Sequence, residues 1–267
     1  MLQGHDAQAL ALVAAEDLAD QASLHRVGLE EDEGALHGVV DHAPHPIEAP
    51  TLPCVETLPP LDELVSRAVA LVPETGRAVL GVAGLPGAGK TTLAGALVAR
   101  LRGRLGDDVV GHVPMDGFHL ADVELDRLGL RHVKGHPDTF DAWGYAALLA
   151  RLRRETSEVV YAPGFERGLE QPVAGAVPVA ASVRVVVTEG NYLLLPDPSW
   201  SRARGELAET WLVETDDELR VRRLVARHVE FGKPPAYAEE WVARSDEANA
   251  RLVRAASVPP DLVVTLR

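Results

Sequence analysis

Residues 84 to 91 form the stretch of this chain whose residue types most directly indicate chemistry. They read Gly-Leu-Pro-Gly-Ala-Gly-Lys-Thr and fit the pattern G-x-x-x-x-G-K-[ST]. Glycines in such a loop let backbone N–H groups turn toward phosphate oxygens, and a helix that follows the loop adds the positive end of its dipole. The loop therefore predicts a site for the phosphates of ATP.

The side chains at the end of this loop have separate expected roles. Lys90 would reach the β- and γ-phosphates, and the Thr91 hydroxyl would hold Mg²⁺. The alternative is a glycine-rich turn that only caps a helix, which the strand and helix patterns on either side of the loop disfavour. The predicted nucleotide-binding residues are Gly84, Pro86, Gly87, Ala88, Gly89, Lys90, Thr91 and Thr92.

Two acidic residues follow predicted strands and are candidates for the reacting centre. Asp116 comes after the strand predicted over 108 to 115, and Glu189 comes directly after the apolar run 183 to 188. In open α/β sheets, ligands bind at the carboxyl ends of the strands. Asp116 could accept a proton from a substrate hydroxyl or bind Mg²⁺ through water, or it could form an Asx turn beside Gly117. Glu189 fits a metal-directed carboxylate, and the alternative is a surface-loop glutamate.

An arginine-rich helix is predicted after Asp216, and it ends before residues 232 to 235, which read Gly-Lys-Pro-Pro. Its basic residues are Arg220, Arg222, Arg223, Arg227 and His228. One interpretation is a solvated face whose partners are carboxylates such as Asp216 and Glu218. The other is a lid that closes over ATP and neutralises charge during transfer, in which Arg223 and Arg227 share a face and act in catalysis.

The side of the site that would bind a phosphoryl acceptor is less sharply defined. Residues 134 to 141 open a helix; Asp138 or Thr139 could cap it, with Asp141 in its first turn, so capping competes with substrate contact as their role. Phe165 and Arg167 could supply an apolar wall and a donor fork, or they could simply pack within a loop. The predicted substrate-binding residues are Asp116, Phe118, Lys134, His136, Phe165 and Arg167.

The elements that must position these residues alternate between strand and helix patterns. Strands are predicted at 78–83, 108–115, 159–162, 183–188, 211–214 and 262–266, with a further edge strand at 177–180. Helices are predicted at 61–72, 92–101, 143–152, after 216 and at 237–256. Apolar strands separated by helices indicate a P-loop NTPase of the α/β class, with a mostly parallel, doubly wound sheet flanked by helices and a helical arginine lid.

Charge is unevenly distributed along the 267 residues. Residues 1 to 57 hold 11 acids and one base, a formal charge of 1 − 11 = −10, and the other 210 residues hold 25 bases and 29 acids, or −4. We expect an acidic, poorly ordered extension at 1–60 and a catalytic domain at 61–267, with the lid at about 216–240. A body without a basic stripe argues against nucleic acid as a partner.

Composition also indicates where the protein acts. The single cysteine, Cys54, cannot form an intrachain disulfide and fits a reducing compartment. No apolar run approaches the ~18 residues of a membrane span, and no secretory or transit signal is recognised. We expect a cytoplasmic protein without a membrane partner, and a homodimer is left open.

The motifs together resemble the phosphoribulokinase, uridine kinase and type I pantothenate kinase superfamily, in that family's order and from about residue 60 to 267. The strongest likeness is to bacterial nucleoside/nucleotide kinase-family proteins, some of them called fructose-transport-system kinases. It rests on residues 115–120, 134–141 and 189–192, which read MDGFHL, KGHPDTFD and EGNY. The resemblance implies that Asp116 is the base, Glu189 the metal-associated carboxylate and 223 to 227 the lid.

Two departures from the uridine kinase pattern bear on the acceptor. Gly135 stands where uridine kinases have an aspartate before His-Pro-Asp, and residues 163 to 170 lack the histidine of the corresponding segment. The pair Lys134-Gly135 is more like pantothenate kinases, although the segment as a whole follows neither pattern.

These observations favour an ATP-dependent kinase that phosphorylates a hydroxyl of a small metabolite such as a nucleoside, a sugar or a pantothenate-like compound. A nucleotide monophosphate kinase and a non-catalytic ATP-dependent switch are the alternatives. GTP is disfavoured because the chain lacks an Asn/Thr-Lys-x-Asp run.

Overall fold

The computed structural model of the protein describes residues 61 to 266. The extension predicted at 1–60 lies outside the described residues, and the domain boundary stays a prediction. No helix in the described part of the chain is long and apolar enough to cross a membrane.

Helices and strands alternate along most of this part of the chain. The helices are α1 (Leu61–Ala70), α2 (Lys90–Leu105), α3 (Asp122–Leu128), α4 (Ala142–Arg154), α5 (Pro198–Arg204), α6 (Asp217–Glu230), α7 (Pro235–Trp241) and α8 (Glu247–Ala256). The strands are β1 (Ala78–Gly84), β2 (Val110–His112), β3 (Val160–Glu166), β4 (Gln171–Val179), β5 (Val185–Gly190), β6 (Glu209–Thr215) and β7 (Leu262–Leu266). A π-helix, Val242–Asp246, joins α7 to α8.

Five strands form one parallel sheet in the order β2-β5-β1-β6-β7. Every residue of β1 and β5 is buried, as expected of central parallel strands covered on both faces. Val82 of β1 pairs with Glu189 of β5, so the loop after β1 and the end of β5 lie at the same edge of the sheet. The predicted fold class, a mostly parallel sheet flanked by helices, is confirmed.

The edge strand predicted at 177–180 is the end of a longer strand that lies outside the five-stranded sheet. Those residues belong largely to β4, which pairs antiparallel with β3 in a two-stranded sheet of its own. Most side chains of β4 are exposed, so the strand has no apolar face that would have indicated its pairing. We call this unit, residues 160 to 179, the hairpin.

Three further differences from prediction affect the elements around the site. The strand predicted at 108–115 is limited to β2, because residues on either side of it form 3₁₀ turns, Asp107–Val109 and Met115–Phe118. Asp141, rather than Asp138 or Thr139, caps α4 and accepts a hydrogen bond from the Gly144 N–H (2.8 Å). The single helix predicted at 237–256 is divided by the π-helix.

Aromatic side chains fill the core beneath the site-bearing edge. Tyr145 of α4, Trp200 of α5 and Tyr192 after β5 are buried together, and the Tyr192 and Trp200 ring centroids are 5.5 Å apart. This cluster supports the turn that carries Asp116, because Phe118 packs onto Tyr145 at 5.0 Å.

Candidate active site

Three glycines give the phosphate loop a shape that side chains could not adopt. Gly84, Gly87 and Gly89 have φ values of 157°, 77° and 94°. A Cβ on Gly84 would lie 2.8 Å from the Val213 carbonyl oxygen, and one on Gly87 would lie 2.7 Å from that of Arg220. The loop is therefore packed closely against β6 and α6, and its glycines are required by space as well as by conformation.

Lys90 begins α2 and is buried at the base of the loop, with 7% of its surface exposed. Its Nζ donates to the carbonyl of Leu85 (2.9 Å). Burial lowers the pKa of Lys90 to about 8, while the negative charges of Glu189 and Asp116 act in the opposite direction. The three side chains predicted to act together thus lie close enough to influence one another.

Glu189 is the second buried charge and lies in strand β5, with 5% of its surface exposed. Its Oε1 accepts a hydrogen bond from the Thr91 hydroxyl (3.0 Å). Burial and the neighbouring Asp116 raise its pKa, and Lys90, Thr91 and Arg167 oppose that shift. The surface-loop reading of Glu189 is excluded by this position.

The oxygen atoms of Thr91 and Glu189 are suitable for Mg²⁺. Within residues 61 to 266 no group of three or more His, Cys, Asp or Glu could hold a metal by itself. Magnesium in nucleotide sites needs only one or two protein oxygens, because phosphates and water complete its octahedron. The hydroxyl and carboxylate, already in contact beside the loop, fit that requirement.

Asp116 lies in the Met115–Phe118 turn with about a third of its side chain exposed. Its Oδ2 is 3.9 Å from Nη2 of Arg167, which lies in the turn of the hairpin. The backbone carbonyl of Asp116 closes the local turn, accepting from the His119 N–H (3.1 Å). The carboxylate therefore faces Arg167 and solvent and is available to a substrate hydroxyl.

A buried hydrogen-bond chain ties the Asp116 turn to the Glu189 strand. The Thr188 hydroxyl donates to the Val113 carbonyl (2.6 Å), so it must accept from the Tyr145 hydroxyl (2.6 Å). Thr188 precedes Glu189, and Val113 lies three residues before Asp116. Sequence reasoning did not find Tyr145 or Thr188, since an aromatic residue in a helix and a hydroxyl in an apolar strand carry no motif.

Close packing sets the position of the hairpin over the same turn. A Cβ on Gly117 would lie 2.2 Å from the Pro163 carbonyl oxygen, so the two backbones touch at this point. The contact places Phe165 and Arg167 beside Asp116. Because Pro163 belongs to β3, any shift of the hairpin would also move the turn that carries the proposed base.

His119 lies on the acceptor side between two aromatic rings. Its ring centroid is 4.0 Å from that of Phe140 and 4.8 Å from that of Phe165. Burial lowers its pKa, so the imidazole is neutral near pH 7 and Nδ1 donates to the Asp116 carbonyl (2.8 Å). Motif analysis assigned no role to His119 that would distinguish it from the other histidines of the chain.

Lys134 lies near these rings but is already engaged. Its Nζ pairs with Asp122 (2.7 Å), donates to the Glu170 carbonyl and lies 5.7 Å from the Phe165 ring centroid. Lys134 therefore joins the hairpin turn to α3, a structural role that does not involve a bound substrate.

Two other residues predicted to contact the substrate have structural roles instead. Phe118 is 9% exposed and belongs to the core. His136 Nδ1 accepts from the Asp138 N–H at 3.4 Å, so its side chain serves the local 3₁₀ turn. The structure thus brings together Asp116, Phe165 and Arg167 but not Phe118 or His136.

The arginines of α6 divide into three environments. Arg220 is 1% exposed and donates to the Pro86 carbonyl (3.2 Å) and to the Glu247 carboxylate, so it braces the loop and cannot swing. Arg222 pairs with Glu218 on the exposed face (3.6 Å). Arg223 lies beside the phosphate loop, since a Cβ on Gly89 would be 3.7 Å from its Nη1. The charge of Arg227 contributes to lowering the pKa of Lys90. Both predicted lid arginines therefore lie near the phosphate loop.

The parallel sheet, the glycine loop and the two acidic residues at its edge define a P-loop kinase. No protein-family model matches the chain. A Schizosaccharomyces pombe protein named provisionally as a uridine kinase is 34% identical over 209 residues, covering 76% of this chain and 89% of that protein. The uncharacterized protein YggC of Escherichia coli is 31% identical over 192 residues, covering 71% and 78%.

Two solved structures agree with this assignment of the fold. A Silicibacter protein named provisionally as a fructose transport system kinase superposes with a TM-score of 0.70 and 34% identity, covering 76% of this chain and 98% of that one. YFH7 of Saccharomyces cerevisiae has a TM-score of 0.66 at 18% identity, covers 78% and 98%, and shows the fold alone. The chain belongs to the family of ATP-dependent P-loop kinases that these relatives represent, and the resemblance inferred from its motifs is confirmed.

Proposed function

We propose that the protein transfers the γ-phosphoryl group of ATP to a hydroxyl of a small metabolite. The observation that supports this best is the convergence of Lys90, Glu189 and Asp116 at one edge of the sheet, with Asp116 alone facing the hairpin. A kinase needs a buried carboxylate beside the nucleotide phosphates and an accessible carboxylate for the acceptor hydroxyl. Glu189 is buried and Asp116 is partly exposed, so the two have these different surroundings.

The chain's own residues would perform the transfer by positioning and charge. Amides of residues 87 to 90 and the Lys90 ammonium would bind the phosphates, and Arg223 and Arg227 would neutralise charge on the transferring group. Thr91 and Glu189 would hold Mg²⁺, which when bound supplies positive charge to the β- and γ-phosphate oxygens.

Asp116 would orient the acceptor hydroxyl and accept its proton. The hydroxyl oxygen forms a bond to the γ-phosphorus, the bond from that phosphorus to the β–γ bridging oxygen breaks, and ADP leaves with the electron pair. The hydrogen-bonded chain from Tyr145 through Thr188 would fix the turn so that the oxygen approaches in line.

Phe165 and Arg167 are the proposed acceptor contacts. The Arg167 guanidinium lies on the hairpin beside Asp116, and the Phe165 ring packs against His119. Uridine and fructose, which occur in the names of two relatives, are the first acceptors to test. Gly135 supplies no carboxylate to ribose hydroxyls, which favours a sugar or another polyol over uridine.

An ADP-coupled assay across nucleosides, sugars, pantothenate and nucleoside monophosphates tests the proposal. Acceptor-dependent, stoichiometric release of ADP is expected for one of the hydroxyl compounds. Preference for a monophosphate would favour the monophosphate kinase, which needs a pair of phosphate-binding arginines on the acceptor side. ATP binding without transfer to any acceptor would indicate a regulatory switch.

A further inference from the structure

A chain of three polar side chains joins the end of the lid helix to the π-helix, and we call it the latch. His228 lies in the last turn of α6, Lys233 in the turn that follows, and Asp246 at the end of the π-helix. Nζ of Lys233 is 2.9 Å from Nδ1 of His228, and Nε2 of His228 is 3.0 Å from Oδ2 of Asp246. Neither the sequence motifs nor the proposed reaction accounts for this arrangement.

The geometry sets the hydrogen-bond directions in the latch. A lysine ammonium can only donate hydrogen bonds, so Nδ1 of His228 is the acceptor. Nε2 then carries the ring proton and donates it to Asp246. Both ring nitrogens of His228 are therefore used to join the end of α6 to its neighbours.

The latch is built into the structure and is not a mobile surface pair. The side chains of His228 and Asp246 are 15% and 14% exposed. The Lys233 ammonium also lies 4.5 Å from the Trp241 ring centroid, and that ring makes an edge contact with His228 at 6.5 Å. The π-helix that presents Asp246 is a rare geometry that is often found at functional sites.

Charges around the latch connect it with the proposed site. Arg227 precedes His228, and its charge contributes to lowering the pKa values of both Lys90 and Lys233. Glu170 of the hairpin turn and Asp246 act on Lys233 in the opposite direction. Arg227 therefore lies close enough to affect the phosphate lysine on one side and the latch on the other.

We propose that His228 and Asp246 are positioning residues that hold the end of α6 against the π-helix, so that Arg227 faces the phosphates of bound ATP. This inference rests on the proposed function, since it concerns how the lid acts on the nucleotide. Without the His228 imidazole, the end of α6 would lose its bonds to both Lys233 and Asp246, and the lid would no longer be held.

The test measures binding of a fluorescent ATP analogue with Mg²⁺ to the full chain. His228→Ala should weaken binding about tenfold, the equivalent of losing one charge-assisted hydrogen bond. His228→Gln keeps one acceptor and one donor, so it should retain most of the native affinity.

Arg222→Ala is the matched control, because it removes a positive charge from the same helix at an exposed position outside the latch. It should bind the analogue as the native protein does. Thermal melting of each variant identifies any that fails to fold, and if His228→Ala does not fold, Asp246→Ala, which removes the other partner in the same bond, takes its place.

The outcomes separate the latch from the proposed function. Equal affinity of His228→Ala and the native protein, or an affinity of His228→Gln as low as that of His228→Ala, overturns the latch while leaving the kinase intact. Absence of analogue binding by the native protein overturns the proposed function, and the latch with it.

Discussion

Lys90 is a buried cation whose hydrogen-bond partner in the nucleotide-free protein is a carbonyl group. Its pKa of about 8 means that the Lys90 ammonium loses its proton at a lower pH than an ordinary lysine, whose pKa is 10.5. The negative charge of bound phosphates favours the ammonium form, so binding should raise the pKa. At a pH near 8, ATP binding is therefore expected to take up about half a proton, measured by calorimetry in buffers of different ionisation enthalpy.

Lys90→Ala is the control for that measurement and should take up no proton from this source. The uptake should also shrink toward pH 6, where Lys90 is already protonated before the nucleotide arrives. Equal uptake by the variant and the native protein would assign the proton to another group.

Asp116→Asn tests the proposed base. The amide cannot accept the acceptor's proton, so kcat should fall by about 10² to 10⁴, whereas the dissociation constant for MgATP should change little because the side chain faces the hairpin. The variant also removes a negative charge that raises the pKa of Glu189. Rapid-quench assays with the identified acceptor measure kcat, and an undiminished value would contradict the role.

Residues within motifs could be predicted individually, and residues that support them could not. Lys90, Thr91 and Glu189 lie where the loop pattern and the apolar strand placed them, because those patterns specify backbone geometry and burial. Phe118 is predicted as a substrate contact, but it lies two residues beyond Asp116 in the 3₁₀ turn and its ring packs into the core. His228 and Asp246, 18 residues apart, meet only through the π-helix.

At the scale of elements, the contact of the Asp116 turn with the hairpin depends on Gly117. Gly117→Ala would place a Cβ 2.2 Å from a backbone oxygen, which cannot move without displacing β3. We expect a loss of about 1 to 3 kcal/mol in the free energy of unfolding and a lower kcat, measured by urea titration and the coupled assay.

Gly103→Ala is the corresponding control in α2, where a Cβ would meet nothing within 4 Å. It should raise the free energy of unfolding by about 0.5 to 1 kcal/mol and leave kcat unchanged, because alanine is the better helix former. If Gly117→Ala lowered neither the free energy of unfolding nor kcat, the backbone contact at Gly117 would not set the position of the hairpin.

Thr188→Val tests the buried chain that joins two strand ends. Valine keeps the shape but leaves the Tyr145 hydroxyl and the Val113 carbonyl without their partner, which costs about 1 to 3 kcal/mol of stability. Movement of Asp116 relative to Glu189 should also lower kcat by about tenfold or more, with little change in the KM for ATP. Thr188→Ser retains the hydroxyl and should restore most of kcat; failure to do so would remove the hydroxyl from the explanation.

Elements with strong periodicity were predictable, and those defined by tertiary contacts were less so. The final strand, 262–266, was predicted with its observed bounds because an apolar run ends the chain there. The hairpin was missed as a unit, since its strands pair with each other and leave most of β4 exposed. The break at the π-helix could not be seen, because α7, the π-helix and α8 share one helical sequence pattern.

For the molecule as a whole, nucleotide binding should be visible as stabilisation. At about 100 times its dissociation constant, MgATP adds about 2.7 kcal/mol, which corresponds to an increase in Tm of about 5 to 10 °C for a domain of this size. Differential scanning calorimetry measures the shift, and Lys90→Ala should abolish most of it. A native protein whose Tm does not respond to MgATP would contradict the assignment of the loop.

The hairpin forms a sheet of its own and touches the Asp116 turn through backbone packing at Gly117. Its outer half can therefore change in length or residue type without altering the register of the five parallel strands. Under the proposed function, the hairpin that contacts the acceptor could be exchanged during evolution while the ATP-binding sheet and loop stay the same. Among proteins that share this sheet, sequence divergence should be greatest between residues 165 and 176, and chimeras that swap this segment should exchange acceptor preference.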